Sequence, residues 1–391
     1  MNTRRNKISI VAIAVIVISL LSGCSDKKGA KAPEAVAKDE RPLIIGIVGP
    51  ETGEEASYGN SVVDGALAAA KRFNAQGGIG GKEIKVLHFD DKNDIGATTQ
   101  IVKDLIGQRA IAILAAPTGS STFAPIHLVN DSKTLFISVG SRRQLKASGP
   151  YVFRAAVPDE TATEDLIKYA VTELGYTNFA LVTAADNEFS LELSSLFKRA
   201  LDKHHGVVKV VADTYDSYTG GRNIKAVVGA VKKSPDALHG VIYTGGAAEA
   251  VLLAQELKKA GLNLPIIGGD DLFAEEYFKG GDAVNETLMY TTFSAGHKSA
   301  KMDEFMKDYG KANPDRFAAL SYDTFMLVAD AIKEAGSTDT SLVREALINR
   351  KDCIGVTGKT SFTSENMPVK HPLICKVKKG ENGERVVVLK Q

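Results

Sequence analysis

Cysteine is scarce in this chain. The 391 residues carry three, at Cys24, Cys353 and Cys375, and neither of the later two sits in a setting that suits a catalytic thiol. Seven histidines are present without an H-E-x-x-H pair, and His204 and His205, being adjacent, cannot face one ligand together on a helix, so no zinc site is expected. Charge of one sign is lacking as well, with 48 basic against 47 acidic residues. That balance argues against a nucleic-acid partner, which would call for a strongly basic face. No G-x-S-x-G elbow occurs: Gly119 is followed by Ser120, Ser121, Thr122 and Phe123, with His127 a turn or two downstream, so the machinery of a serine hydrolase is missing. GGIGGKE, residues 77–83, imitates a phosphate loop. Yet Gln76 stands at the first glycine position and Glu83 replaces the hydroxyl, so a turn is expected there, as it is for VTGKTSF. DDKND, residues 90–94, lacks calcium-loop spacing and is read as a turn in which Asp94 caps the following helix. No cofactor or metal is implied.

Long apolar runs are missing too, except near the start. Arg4, Arg5 and Lys7 precede an apolar run from Ile8 to Leu21, which ends in Leu21-Ser22-Gly23-Cys24. The run is shorter than the ~20 residues that a spanning helix needs, and it has the layout of an export signal. Leu-Ser-Gly-Cys has the form of a lipobox, in which Cys24 is acylated and becomes the first residue of the mature protein. Residues 1–23 are thus expected to be a lipoprotein signal peptide. Residues 24–41, with almost nothing able to form a core, are expected to be a flexible tether holding a folded domain off a membrane. Removal of residues 1–23 takes away three basic residues and no acid, leaving 45 against 47, a formal −2. For Cys353 and Cys375, export permits a disulfide across a C-terminal hairpin, the favoured reading, with two free buried thiols as the alternative.

From Leu43 the pattern alternates between short apolar runs and helical periodicity. LIIGIVG, EIKVLHF, AIAILAA and TLFISVG read as strands, separated by helices over 57–78, 97–108 and 121–132. A second such run starts near Tyr151, with strands at NFALVTA, VVKVVADTY, LHGVIYTG and PIIGG. Late helices around MDEFMKDYG, FAALSYDTFMLVADAIKEAG and SLVREALINR have no strand between them and are expected to cover a sheet already built. The fold class is α/β: two Rossmann-like β/α lobes with a ligand cleft between them, at the C-terminal ends of the strands. ILAAPTGSSTFAP, residues 113–125, then falls at such a strand end. Its glycine and hydroxyls either cap the next helix or hold an anion, and the two roles are compatible.

These residues resemble the type I periplasmic binding proteins of ABC transporters, particularly the leucine/isoleucine/valine-binding branch. The likeness is carried by IIGIVGPETGEEASYG, VDGALAAAKRFNAQGGIGGKEI, FDDKND, LFISVG, ALSYDTFMLVADAI and GVTGKTSF, and spans about Arg41 to the end. It implies three inter-lobe crossings, with 42–157 plus 293–355 forming lobe 1 and 158–292 plus 356–391 forming lobe 2. It also implies that a ligand carboxylate is held by Gly119, Ser120, Ser121 and Ser141, and a ligand ammonium by Asp270, with Asp271 as the adjacent alternative. Tyr58 and Phe189 would wall the side-chain pocket, and Tyr322 would support the cleft from behind. Arg142 stands where the family usually offers threonine, so it either clamps a carboxylate or points to solvent. Ala247 replaces a frequent aromatic and leaves room for a bulkier ligand.

The expected function is that of a lipid-anchored substrate-binding protein, not an enzyme. It would be a monomer on the periplasmic face of a bacterial membrane, or on the cell surface in a Gram-positive organism. It would capture a branched-chain or other apolar amino acid by lobe closure and deliver it to ABC permease subunits in the inner membrane. The alternatives are the same fold binding an aromatic or other carboxylic acid or an amide, and a sensory receptor.

Overall fold

The run Leu43–Gly49 carries no charged side chain, and it forms an interior strand, β1, buried along nearly its whole length. The computed structural model describes residues 41–140, 148–215, 223–234, 236–380 and 383–390. The signal peptide, Cys24, nearly all of the tether, Ser141 and Arg142 lie outside the described residues.

After β1 come α1 (Ala56–Ala75), β2 (Ile84–Asp90), α2 (Ile95–Gly107), β3 (Ala112–Ala115), α3 (Ser120–Phe123), α4 (Ile126–Asp131), β4 (Leu135–Ser138) and β5 (Val152–Arg154). The five strands form a parallel sheet in the order β2-β1-β3-β4-β5. The helix expected over 121–132 is broken into α3 and α4. Pro125 has no N–H to donate to the helical ladder, so α3 stops at Phe123 and the chain restarts its helix at Ile126, although Ala124 itself keeps helical φ and ψ. The turn at 77–82 is built on four glycines with positive φ. Asp94 caps α2 by accepting from the Ala97 N–H at 2.8 Å.

The chain continues through α5 (Asp159–Thr172), β6 (Asn178–Ala184), α6 (Glu188–His204), β7 (Val207–Thr214), α7 (Ile224–Lys232), β8 (Gly240–Tyr243), α8 (Ala247–Lys259), β9 (Ile266–Gly268), α9 (Glu275–Phe278) and β10 (Leu288–Thr291). It then runs α10 (Ala300–Tyr309), α11 (Arg316–Ala335), α12 (Thr340–Asn349), β11 (Cys353–Gly355), β12 (Gly358–Phe362), β13 (Pro368–Val369), β14 (Leu373–Gly380) and β15 (Gly383–Lys390). The second sheet has the order β15-β14-β10-β9-β8-β6-β7, with β14 and β15 antiparallel to their neighbours and the rest parallel.

Both sheets are covered on both faces. On β6, Phe179 and Leu181 enter one core cluster while Ala180 and Val182 enter another, the period-2 alternation of a doubly covered strand. The late helices α10, α11 and α12 pack on the first sheet. α11 lies so close to α1 that a Cβ on Gly65 would fall 2.1 Å from the Ala318 carbonyl oxygen. Only glycine allows that approach.

The chain passes between the two sheets three times: after β5, at Thr292, and between β13 and β14. The division expected at residue 355 does not follow the packing. Val356 and Phe362 belong to the core of the first sheet, and Phe362 meets Phe153 edge to face at 5.2 Å, so the chain joins the second sheet only at Leu373. At this third passage Lys370 is fully buried and its Nζ donates to Thr357 Oγ1, while the next residue, His371, places Nδ1 2.6 Å from Asp165 Oδ2 on α5.

The expected disulfide is not made. Cys353 lies on β11 in the small sheet β11-β12-β13, and Cys375 lies on β14 in the seven-stranded sheet, so they do not share a hairpin; both are free thiols. No described helix is long and apolar enough to cross a membrane.

Candidate functional site

Parallel β/α sheets collect their loops at the C-terminal ends of the strands. Here those loops line a cavity of about 480 Å3. The first sheet contributes Pro117 and Gly119 after β3 and Gly140 after β4; the second contributes Asp186, Asn187, Glu188 and Phe189 after β6 and Asp270 and Asp271 after β9. Tyr58 enters from the first turn of α1, and Arg316, Phe317 and Leu320 from the first turns of α11. Ala156 and Thr292, on two of the three passages between the sheets, complete the wall.

Gly119 precedes α3 with φ +81°, a left-handed conformation that glycine adopts without strain. The hydroxyls beyond it are largely engaged by the loop itself. Ser121 is buried and donates to Asn93 Oδ1 at 2.7 Å, with Thr118 Oγ1 2.9 Å away. Thr122 donates to the Ala116 carbonyl at 2.6 Å and accepts from the Thr118 N–H at 2.9 Å. Ser121 thus ties the loop to the turn after β2 instead of facing the cavity. Ser120 opens α3 next to Gly119.

On the opposite wall β9 ends at Gly268, and a short turn over Asp270–Leu272 follows, pinned by buried Leu272. The Asp270 side chain is 3% exposed. Its Oδ1 accepts from Thr291 Oγ1 at 2.6 Å, and its Oδ2 lies 3.5 Å from Arg316 Nε; Arg316 Nη1 also donates to the Asp270 carbonyl oxygen at 3.3 Å. Arg316 belongs to the helix packed on the first sheet, so this pair spans the cleft. Beneath it, burial and the nearby negative charge of Asp270 push the Cys375 thiol up to about 12.

The aromatic wall is a connected stack. Arg316 lies over the Phe317 ring at 4.8 Å from its centroid, and Phe317 meets Tyr58 edge to face at 5.0 Å. Gly140 makes room for this arrangement: a Cβ there would sit 2.6 Å from Phe317 Cε1 and 2.8 Å from Pro117 Cγ. Ala247 starts α8 and packs on the core of the second sheet, away from the described lining. Tyr322 stands behind the site, donating to Asp308 Oδ2 at 2.6 Å.

Two β/α bodies, three passages between them and a cavity at their facing strand ends describe a ligand-capturing fold. A protein-family model for periplasmic binding proteins matches residues 42–381. The chain belongs to the periplasmic binding protein family. Among relatives, the Leu/Ile/Val-binding protein homolog 3 of Brucella melitensis is 28% identical over 331 residues, covering 82% of this chain and 87% of that protein. The branched-chain amino acid transporter substrate-binding protein of Streptococcus pneumoniae, solved in complex with isoleucine, is 24% identical with a TM-score of 0.69, covering 90% of this chain and 100% of that one. A solute-binding protein of an ABC transporter from Rhodopseudomonas palustris, solved with 3,4-dihydroxybenzoic acid, is 21% identical with a TM-score of 0.71, covering 89% and 96%. At these identities the two solved structures bear on the fold.

In this periplasmic binding protein the cavity brings together Tyr58, Gly119, Phe189 and Asp270 of the residues singled out from the sequence. Sequence reasoning missed Arg316 and Phe317. The available signal was Asp315, which accepts from the N–H groups of Phe317 and Ala318 and so sets the start of α11. That the helix start faces the cavity depends on the second passage, which no local pattern encodes. Among the described residues, no group of three or more His, Cys, Asp or Glu is arranged to hold a metal ion.

Proposed function

We propose that the protein is the substrate-binding component of an ABC importer and that it captures a small amino acid, branched-chain or otherwise apolar, without catalysing any reaction on it. The observation that carries this reading is the buried Asp270 carboxylate on one wall of the cavity, facing the Gly119 loop and the Tyr58–Phe317 stack on the other. A zwitterion needs partners for both charges. In this reading Asp270 takes the ammonium, and the N–H groups at Gly119 and Ser120, together with Ser141, take the carboxylate. Tyr58, Phe317 and Phe189 enclose the side chain. Charge-assisted hydrogen bonds contribute about 1.5–3 kcal/mol each. Three or four of them add about 5–12 kcal/mol, and burial of the apolar side chain adds to this, against the ~8 kcal/mol of micromolar binding and the costs of ordering and desolvation. Because each end is held by a different body, the ligand binds the closed arrangement more tightly than an open one, and closure follows. The names of the Brucella and Streptococcus relatives support the ligand class. Cys24 would supply the lipid anchor, the following residues the tether, and the permease in the inner membrane the docking partner.

Calorimetric titration with leucine, isoleucine, valine and alanine tests the ligand class, and Asp270→Ala tests the site. Removing the carboxylate is expected to weaken binding by about two orders of magnitude while the protein stays folded. Unchanged affinity would remove Asp270 from the site.

A second reading has one observation in its favour. Asp270 is already paired with a cation, Arg316, so a carboxylic acid without an ammonium group would leave that pair intact. The aromatic wall suits such a ligand, and the Rhodopseudomonas protein was solved with one. Binding of a benzoate in place of every amino acid would decide for it.

A further inference from the structure

Arg316 and Asp270 lie on opposite sides of the cleft and both line its cavity, yet they are bonded to each other. The pair is specific in its geometry. Nε faces the Asp270 carboxylate at 3.5 Å, Nη1 donates to the carbonyl oxygen of the same residue at 3.3 Å, and the guanidinium is braced from below by the Phe317 ring. Thr291 fills the other carboxylate oxygen. A cation arriving at Asp270 from the cavity therefore meets a carboxylate whose charge is already matched, by a group of the same charge as itself.

We infer that Arg316 is an internal competitor for the ammonium site: its guanidinium holds Asp270 across the cleft, and an amino-acid ligand binds by displacing it. The inference rests on the reading that Asp270 receives the ligand ammonium. It assigns Arg316 a role in setting affinity and selectivity. Competition subtracts the free energy of the pair from every ligand that brings an ammonium, and it leaves untouched any ligand that brings only a carboxylate. Arg316 thereby discriminates against weakly held amines: the ligand has to gain enough from its carboxylate and side-chain contacts to release the guanidinium. Asp271, Asp186 and Glu188 line the same cavity, so a guanidinium displaced from Asp270 remains among acidic groups.

The test compares leucine with 4-methylpentanoate, which has the same carboxylate and side chain and no ammonium, on the wild-type protein and on Arg316→Gln. Arg316→Met, which keeps an apolar contact with Phe317, serves as a second variant in case the first folds poorly. Titration calorimetry is expected to show leucine binding tightened by at least about fivefold in the variants, with 4-methylpentanoate unchanged or weakened. A merely structural role for Arg316 would move both ligands in the same direction, and that result, or weaker leucine binding, overturns the inference while leaving the amino-acid reading in place. Failure of leucine, isoleucine, valine and alanine to bind either wild-type or variant protein overturns both.

Discussion

Asp323, in the middle of α11, accepts three hydrogen bonds from the turn that follows β11: from the Val356 N–H at 2.8 Å, the Thr357 N–H at 2.7 Å and the Thr357 hydroxyl. The helix whose first turn lines the cavity is thereby bolted to the hairpin that leads into the third passage between the sheets. All these groups are buried.

Asp323→Ala leaves two buried N–H groups without an acceptor and Lys370 without its nearby anion. A loss of about 3 kcal/mol is expected in urea unfolding monitored by circular dichroism. A loss below about 1 kcal/mol would mean that water or relaxation replaces the carboxylate.

Lys370 gives the stability a pH dependence of defined sign. Burial lowers its pKa from 10.5 to about 8, and Asp323 partly opposes the shift. Since the folded value lies below the unfolded one, the unfolded chain binds more protons between about pH 8 and 10.5, and the contribution of this group to stability rises with pH across that window. Burying the charged amine costs on the order of 3 kcal/mol below pH 8, and the cost fades as the amine deprotonates. Lys370→Met is expected to remove this rise; the difference in unfolding free energy between wild type and variant, measured at pH 7 and pH 9.5, checks it. Equal differences at both pH values would place the Lys370 pKa near its ordinary range.

Gly140→Ala pushes Phe317 toward the cavity, because the Pro117 ring on the other side yields less than the Phe317 side chain. Ligand affinity is expected to fall about tenfold, with a stability change of ~1–2 kcal/mol. Titration beside thermal melting separates the two effects.

Alkylation of the native protein followed by peptide mapping reports on the thiols. Half-buried Cys353 is expected to react, while Cys375 stays protected by burial and by a pKa raised to about 12. Recovery of a disulfide-linked peptide pair would contradict the separate sheets in which the two residues lie.

The sequence made the interior strands plain where apolar runs were long, as in LIIGIVG and NFALVTA, whose bounds agree with β1 and β6. It hid β10 and β15. LMYT is four residues long with no alternation, and its burial comes from lying between β9 and β14, which local pattern does not reveal. The expected C-terminal hairpin does not form because its two segments take other partners: β12 pairs with β11 and β13, and β14 with β10 and β15. In the cavity, Gly119 was legible because it follows a strand end, and Asp270 through the family resemblance, which places an acid after the strand PIIGG. Arg316 was not, since its partner lies 46 residues away and on the other sheet.

Lys370 and His371 are neighbours in the chain, yet one is locked to Thr357 and the other faces Asp165 on α5. Any swing of one half of the molecule against the other at this passage has to be absorbed by the few torsions between those two anchors. The passage then behaves as a short swivel pin with little freedom to slide, so movement there is channelled into rotation. Disordering either anchor would trade a defined axis for a loose joint, blurring how the two halves face each other before it weakened either half.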